Sequence, residues 1–422
     1  EAIAPFFETS KKIVVIDEGQ GPLQTGLEPL GEYEALLRRS GTTYVFPDFD
    51  EQAVATLFYT TGTTGRPKGV CFSHRQIVLH TLGFMSALCA YRSPFPVDSG
   101  DVYMPLTPMF HVHAWGMPYL FTMLGAKQVY PGRFDPERVL SLVHTEAVSF
   151  SHCVPTIVRM LLDSPALDRF AITGWKILVG GSALPRSLCQ AARDRGISLF
   201  SAYGMSETGP LMTVANLTPG MFQRSEGQQM EARCRTGLPA PLVHLDVLSP
   251  EGTPLPHDGR QVGEVVVRSP WLTQAYFKEP ERSEALWTDG WLHTGDLGSI
   301  DREGYLQISD RIKDVIKTGG EWVSSLELED CISGHQAVRE AAVIAIPDSK
   351  WDERPLALVV LKTEFHGRIQ AEDIRTFLQR HAAAGKLPRF AIPERIEIVE
   401  AIAKTSVGKI DKKELRRRFC AV

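Results

Sequence analysis

Tyr59-Thr-Thr-Gly-Thr-Thr-Gly-Arg-Pro-Lys-Gly69 gathers four threonine hydroxyls, three glycines and one lysine between two β-branched runs. Glycine lets backbone N–H groups approach phosphate oxygens closely, Thr60, Thr61, Thr63 and Thr64 donate through hydroxyls, and Lys68 supplies charge. A Walker A loop needs Gly directly before Lys and Ser/Thr directly after it, whereas Pro67 and Gly69 flank Lys68. The chain re-enters a strand first, and only then does Ser73 stand where it can cap a helix. A bare Gly-Thr-Thr-Gly would serve equally as a hairpin turn. The whole string is what points to phosphate.

On either side of this loop, strand-like runs at 13–16, 53–59 and 177–179 alternate with helical stretches at 75–90 and 184–193. Such alternation predicts α/β layers. From 236 to 308 the texture changes to short strands punctuated by Gly and Pro, at 242–248 and 263–268, which predicts a β-rich subdomain. After Asp310 a third texture begins, with strands at 342–346, 356–361 and 395–399 and a helix at 371–383, which is enough for a small α+β domain. The expected division is therefore 1–309 and 310–422. The basic run after Asp411 reads as a solvated helix face, because Ile410, Leu415 and Phe419 recur at helical spacing.

With 422 residues, 45 basic and 50 acidic side chains and a net charge of −5, the chain is an ordinary globular composition of about three domain-sized units. It carries no dense basic stripe, which argues against nucleic acid as a main partner. Seven cysteines without a CxxC or CxxxC pair suit a reducing cytoplasm better than secretion or zinc. The run 102–126 has no charged side chain and is long enough to span a bilayer. Pro105, Pro108 and Pro118, with His111 and His113 between them, favour a buried core instead.

Five further signatures follow the phosphate string in order: Gly180-Gly-Ser-Ala-Leu-Pro185, Tyr203-Gly-Met-Ser-Glu-Thr208, Gly290-Trp-Leu-His-Thr-Gly-Asp296, Asp310-Arg-Ile-Lys-Asp-Val-Ile-Lys-Thr-Gly-Gly320 and Lys404-Thr-Ser-Val-Gly-Lys409. Together they resemble the adenylate-forming superfamily of acyl-CoA synthetases, peptide-synthetase adenylation domains and firefly luciferase, over nearly all of the chain. The resemblance implies that Thr60, Thr61, Gly62, Thr63, Thr64, Gly65 and Lys68 hold ATP phosphates. It implies that Tyr203, beside Gly204, stacks on adenine, and that Gly180, Gly181 and Ser182 let backbone approach the base or a thin acyl chain. Glu207 becomes a magnesium ligand with Thr60, and Ser206 stands where the family usually has Thr. Asp296 becomes the ribose ligand with Arg311 as a second contact, and Asp310 the hinge. Lys409 stabilises charge as a carboxylate attacks the α-phosphate, although Ala403 replaces the proline usual ahead of that loop. Lys317, Gly319 and Gly320 belong to a loop that forms the pantetheine tunnel when coenzyme A attacks the acyl-adenylate. The cofactors implied are ATP, Mg2+ and coenzyme A.

Pro108-Met-Phe-His-Val-His-Ala-Trp115 bears no formal charge at neutral pH, which favours an aliphatic or aromatic carboxylate over an amino acid. Its plainer reading is a buried core strand, on which His-x-His would place two side chains on one face. The segment looks most like medium- and long-chain fatty acyl-CoA synthetases, in which Trp115 gates the acyl tunnel and His111 lies near the adenylation site, and Gly180 and Gly181 would leave room at the tunnel mouth. Aryl or alicyclic acids, release of acyl-AMP without CoA transfer, and a noncatalytic binding remnant stay open. The last arises because family members carry a longer segment before the phosphate loop than residues 1–58. Expected partners are a small carboxylic acid, ATP and CoA, with at most peripheral membrane contact and a homodimer admissible.

Overall fold

The computed structural model describes residues 14–15, 30–60, 67–91, 96–405 and 408–420. The chain divides into two compact units, Glu1–Asp50 and Glu51–Val422. In the first, β1 (Val14–Val15) pairs in parallel with β2 (Gly31–Glu32), and helix Tyr33–Arg39 is capped by the Glu32 carboxylate, which accepts from the amides of Glu34 and Ala35.

The second unit opens with an antiparallel hairpin of β3 (Val54–Thr60) and β4 (Lys68–Ser73), in which Thr60 faces Lys68 across the pair. Ser73 then caps helix His74–Cys89 reciprocally: its hydroxyl accepts from the Gln76 amide at 3.3 Å, and the Gln76 side chain accepts from the Ser73 amide at 2.7 Å.

The central sheet contains β5 (Val102–Pro105), β6 (Lys127–Gln128), β7 (Phe150–Cys153), β8 (Trp175–Val179), β9 (Ile197–Gly204), β10 (Leu211–Val214) and β11 (Leu238–Pro239), in the order β6-β5-β7-β8-β9-β10-β11. The first five in that order run parallel, β10 runs antiparallel to β9, and β11 pairs antiparallel with β10. Successive residues of the parallel strands enter two different cores. Tyr103, Leu178 and Phe200 pack on one face, while Met104, Ile177 and Leu199 pack on the other. Burial on both faces is why these strands read as continuous apolar runs rather than alternating ones. It also leaves the carboxyl ends of the strands as the place where loops can gather around a ligand.

The β-rich part is antiparallel: β12 (His244–Leu248), β13 (Gly263–Arg268), β14 (Trp287–Thr288), β15 (Trp291–Ile300) and β16 (Leu306–Arg311). The β15–β16 register sets Asp296 opposite Arg311. Asp310, read as a composition break, lies inside β16 opposite Leu297. A separate sheet follows, built from β17 (Ile316–Thr318), β18 (Glu321–Val323), β19 (Val338–Asp348), β20 (Asp352–Leu361) and β21 (Arg395–Ile398). Helices Ser325–Ser333 and Ala371–Ala383 cover one face through Leu328, Ile374 and Leu378, and helix Lys412–Phe419 covers the other through Leu415. The terminal basic run is thus a helix with one buried edge, and Arg417 and Arg418 pair with Glu414 at 2.7 Å.

The segment 108–115 is not the core strand that its composition suggests. Pro105 and Pro108 lack the N–H groups that would extend β5, and after an irregular stretch residues 112–115 form a tight turn. Val112, Ala114 and Trp115 are buried, but Met109 and Phe110 are exposed. Two histidines therefore do not share a strand face. Among the described residues no group of three or more His, Cys, Asp or Glu side chains is placed to hold a metal ion, and no helix is long and apolar enough to cross a membrane.

Candidate active site

Four loops meet at the carboxyl ends of β5, β7, β8 and β9. After β8 the chain passes through Gly180 and Gly181, whose missing side chains make room for two neighbours. A Cβ at Gly180 would stand 2.9 Å from the Ala202 carbonyl oxygen and 3.1 Å from the Trp115 indole. At Gly181, where φ is +81°, it would stand 2.8 Å from Lys409 Cε. The two glycines thus serve different partners. Gly180 faces the indole, and Gly181, expected at the tunnel mouth, faces the lysine.

Lys409 reaches this point from the far end of the chain. Its loop closes on itself through Thr405, whose amide donates to the Lys409 carbonyl at 2.8 Å, and is tethered to helix Pro155–Leu162 by the Thr156 hydroxyl, which donates to the Gly408 carbonyl at 3.2 Å. Burial, with the nearby Arg311 charge, pulls the Lys409 ammonium down to about 8, against the opposing pull of Asp296 and Glu207. His111 is pulled down to about 4, by burial and then by the Lys409 charge, so it is a neutral imidazole at pH 7.

Asp296 is buried, and both its oxygens are engaged. One accepts from the Tyr203 hydroxyl at 2.6 Å, and the other lies 3.1 Å from Arg311 Nε. A ribose hydroxyl would have to share these acceptors. Burial and the Asp296 carboxylate push the Tyr203 phenol well above its ordinary range. Gly181, Ser182, Tyr203, Gly204, Asp296, Asp310, Arg311 and Lys409 line one cavity of about 350 Å³.

The buried Glu207 sits in a short 3-10 turn that begins at Ser206. Its carboxylate accepts from the Tyr276 hydroxyl at 2.7 Å, and Lys68 Nζ lies 3.4 Å from the same hydroxyl and 4.5 Å from the Tyr276 ring centroid. Tyr276 thereby joins the base of the phosphate hairpin to the acidic residue. Thr61, Gly62, Thr63, Thr64 and Gly65 lie outside the described residues.

The Asp310 carboxylate accepts from the amide and hydroxyl of Ser325 at 2.6 and 2.7 Å, and Lys412 Nζ reaches both Ser325 Oγ and Glu329. Lys317, Gly319 and Gly320 occupy the β17–β18 hairpin, held by the Gly319 amide to the Trp351 carbonyl at 2.9 Å, and none of them lines the cavity.

Three participants escape a reading of the sequence. Tyr276 and Thr156 are single residues in unremarkable strings, and only the fold brings them to Glu207 and Gly408. His152 is fully buried, its Nε2 2.8 Å from the Tyr103 hydroxyl and its ring centroid 5.0 Å from that of Trp115, while Nδ1 has no partner among the described residues.

A lysine, two buried carboxylates and an indole thus meet across these loops, and comparison with known proteins identifies the family. Residues 6–277 match the AMP-binding enzyme family, and 327–409 match the AMP-binding enzyme C-terminal domain. The chain belongs to the AMP-binding enzyme family. It is 39% identical to a long-chain-fatty-acid–CoA ligase of Thermus thermophilus, over 99% of this chain and 74% of that protein. It is 35% identical to a medium-chain-fatty-acid–CoA ligase of Ectopseudomonas oleovorans, over 97% and 73%. The crystal structure of the anthranilate CoA ligase AuaEII with anthranoyl-AMP shares its fold, with a TM-score of 0.78 and 24% identity over 92% of this chain and 71% of that one. As an AMP-binding enzyme the protein is an AMP-forming acid–CoA ligase, and ATP and CoA are the substrates that come with that class.

Proposed function

We propose that this AMP-binding enzyme joins a medium- or long-chain fatty acid to coenzyme A through an acyl-adenylate. The observation that carries the reading is the pairing of two neighbours at adjacent glycines. A half-buried lysine stands at Gly181, and an apolar indole fills the space at Gly180. The carboxylate end of the acid would meet Lys409, and its alkyl chain would take the place of Trp115. Each buried methylene then contributes about 0.8 kcal/mol until the slot ends.

Attack of the acid on the α-phosphate accumulates negative charge on phosphorus and on departing pyrophosphate, and the Lys409 ammonium is placed to offset it. Neutral His111 adds no competing cation. Asp296 holds the ribose together with Arg311, and Tyr203 lies alongside for the base. Magnesium fits the donor set, because the Glu207 carboxylate and the Thr60 hydroxyl are hard oxygen ligands and the nucleotide's own phosphates complete such a site. When bound, it neutralises phosphate charge. Tyr276 orients Glu207. Coenzyme A then attacks the adenylate, a step that needs positioning more than a new nucleophile. In this reading the chain after Asp310 turns, Lys409 withdraws, and the hairpin of Lys317, Gly319 and Gly320 takes its place.

A lysine that titrates near 8 is charged below that pH and loses its proton above it. Acid-dependent exchange of pyrophosphate into ATP should therefore show an alkaline limb near pH 8 in kcat/KM, which reports the free enzyme. Lys409→Arg should move the limb upward. A limb that stays in place in the arginine variant assigns it to another group.

Tyr276→Phe removes the donor to a buried carboxylate. We expect KM for ATP with magnesium to rise about tenfold, as for loss of a hydrogen bond to a charged group. An unchanged KM would make Tyr276 a packing residue only.

A further inference from the structure

Asp296 stands in a break of the antiparallel ladder. Glu264 of β13 pairs with Leu297 of β15, and Val266 pairs with His293, so Thr294, Gly295 and Asp296 stand against the single residue Val265. Such a bulge takes its residues out of the ladder and re-aims their side chains. Gly295 has a φ of +69°, which glycine adopts without steric cost. The Asp296 side chain is thereby brought to the cavity, beside Tyr203 and Arg311.

A bulge gives up ladder hydrogen bonds, and here side chains replace them. The Thr294 hydroxyl donates to the Val265 carbonyl at 2.6 Å and accepts from the Asp296 amide at 3.1 Å, and the Gly295 carbonyl accepts from the Ile312 amide at 3.0 Å. The Gly295 amide donates to one oxygen of the Glu264 carboxylate at 3.1 Å, and the other oxygen lies 2.9 Å from His293 Nδ1. Both side chains are half-buried, and neither lines the cavity. A partly exposed Glu–His pair across a ladder contributes little by itself. This one differs because the same carboxylate holds the amide next to a site residue, and a carboxylate engaged at both oxygens fixes that amide with it.

We propose that Glu264 and His293 are positioning residues: they hold the bulge at Gly295 so that the Asp296 carboxylate meets the ribose of the nucleotide. This rests on the reading of Asp296 as the ribose ligand. Glu264 and His293 act through the backbone of Gly295 and touch no substrate.

The test compares Kd for AMP and for 2′-deoxy-AMP by calorimetry. In Glu264→Ala the Kd for AMP should rise about tenfold, as for loss of a hydrogen bond to a charged group. The Kd for 2′-deoxy-AMP should change little, so the preference for the ribonucleotide falls by the same factor. Glu264→Gln keeps an oxygen that accepts from Gly295 and should restore most of the preference. His293→Phe keeps a ring but releases the second carboxylate oxygen; it should lower the preference by a smaller factor, and it serves if Glu264→Ala does not fold. A preference unchanged in the folded variant, equal weakening of both nucleotides, or no recovery in Glu264→Gln overturns the proposal. Asp296→Ala separates the two claims. If it keeps the wild-type preference, the ribose reading fails, and hydrogen exchange in a peptide spanning 291–297 then decides whether Glu264 holds the bulge: faster exchange in Glu264→Ala than in wild type upholds that role, and an unchanged rate overturns it.

Discussion

Lys409→Ala should lose acid-dependent exchange of pyrophosphate into ATP by on the order of 10²- to 10³-fold, the range for removing one positioned group that stabilises transition-state charge. Thioester formation from supplied acyl-AMP should be largely spared, because the adenylate already carries its leaving group. The split follows from where the lysine sits. It packs half-buried against Gly181 with Asp296, Glu207 and Arg311 as its charged neighbours, among the residues proposed to hold the nucleotide and not in the β17–β18 hairpin. Lys409→Met keeps the stem that packs on Gly181 and should lose exchange equally, which separates charge from packing. Equal loss of both half-reactions would remove the role assigned to the lysine.

Gly180→Val should have the second large effect, and it should act on chain length rather than on chemistry. A Cβ there meets a backbone carbonyl at 2.9 Å, which cannot yield as a side chain can, and the indole at 3.1 Å, so Trp115 and the slot must shift together. If the slot shortens by about two methylenes, kcat/KM for long acids falls roughly 15-fold at about 0.8 kcal/mol each, while short acids change little. A uniform loss across all acids would mean that Gly180 faces only the nucleotide. The matching change at Gly181 should instead disturb Lys409 and the exchange reaction.

The layered α/β architecture was legible because its strands are buried on both faces and its helices carry their own caps, as Ser73 and Gln76 do. The ordered signatures also named loops that the fold brings together: Gly180–Gly181, Tyr203, Glu207, Asp296 and Lys409 lie far apart in the chain and converge on the carboxyl ends of the central strands. What could not be read was which side of each loop faces which partner. Spacing does not reveal that Gly181 points at Lys409 and Gly180 at Trp115, because that depends on a φ of +81° and on a loop more than two hundred residues away. The stretch 108–115 misled for a related reason. Its apolar composition is correct for burial, but two prolines deny it a sheet ladder, and the turn it adopts is held by tertiary contacts against local preference. Tyr276 and Thr156 carry no local signal at all, since each matters only through a partner supplied by the fold.

The most direct test of the account is the formation of acyl-CoA and AMP from ATP, magnesium and coenzyme A, measured as kcat/KM across straight-chain acids from acetate to stearate with benzoate alongside. The account predicts that the value climbs with chain length through the medium-chain acids and levels off where the slot ends, with benzoate and acetate far below. A flat profile, a preference for benzoate, or release of acyl-AMP without acyl-CoA in the presence of coenzyme A would contradict it.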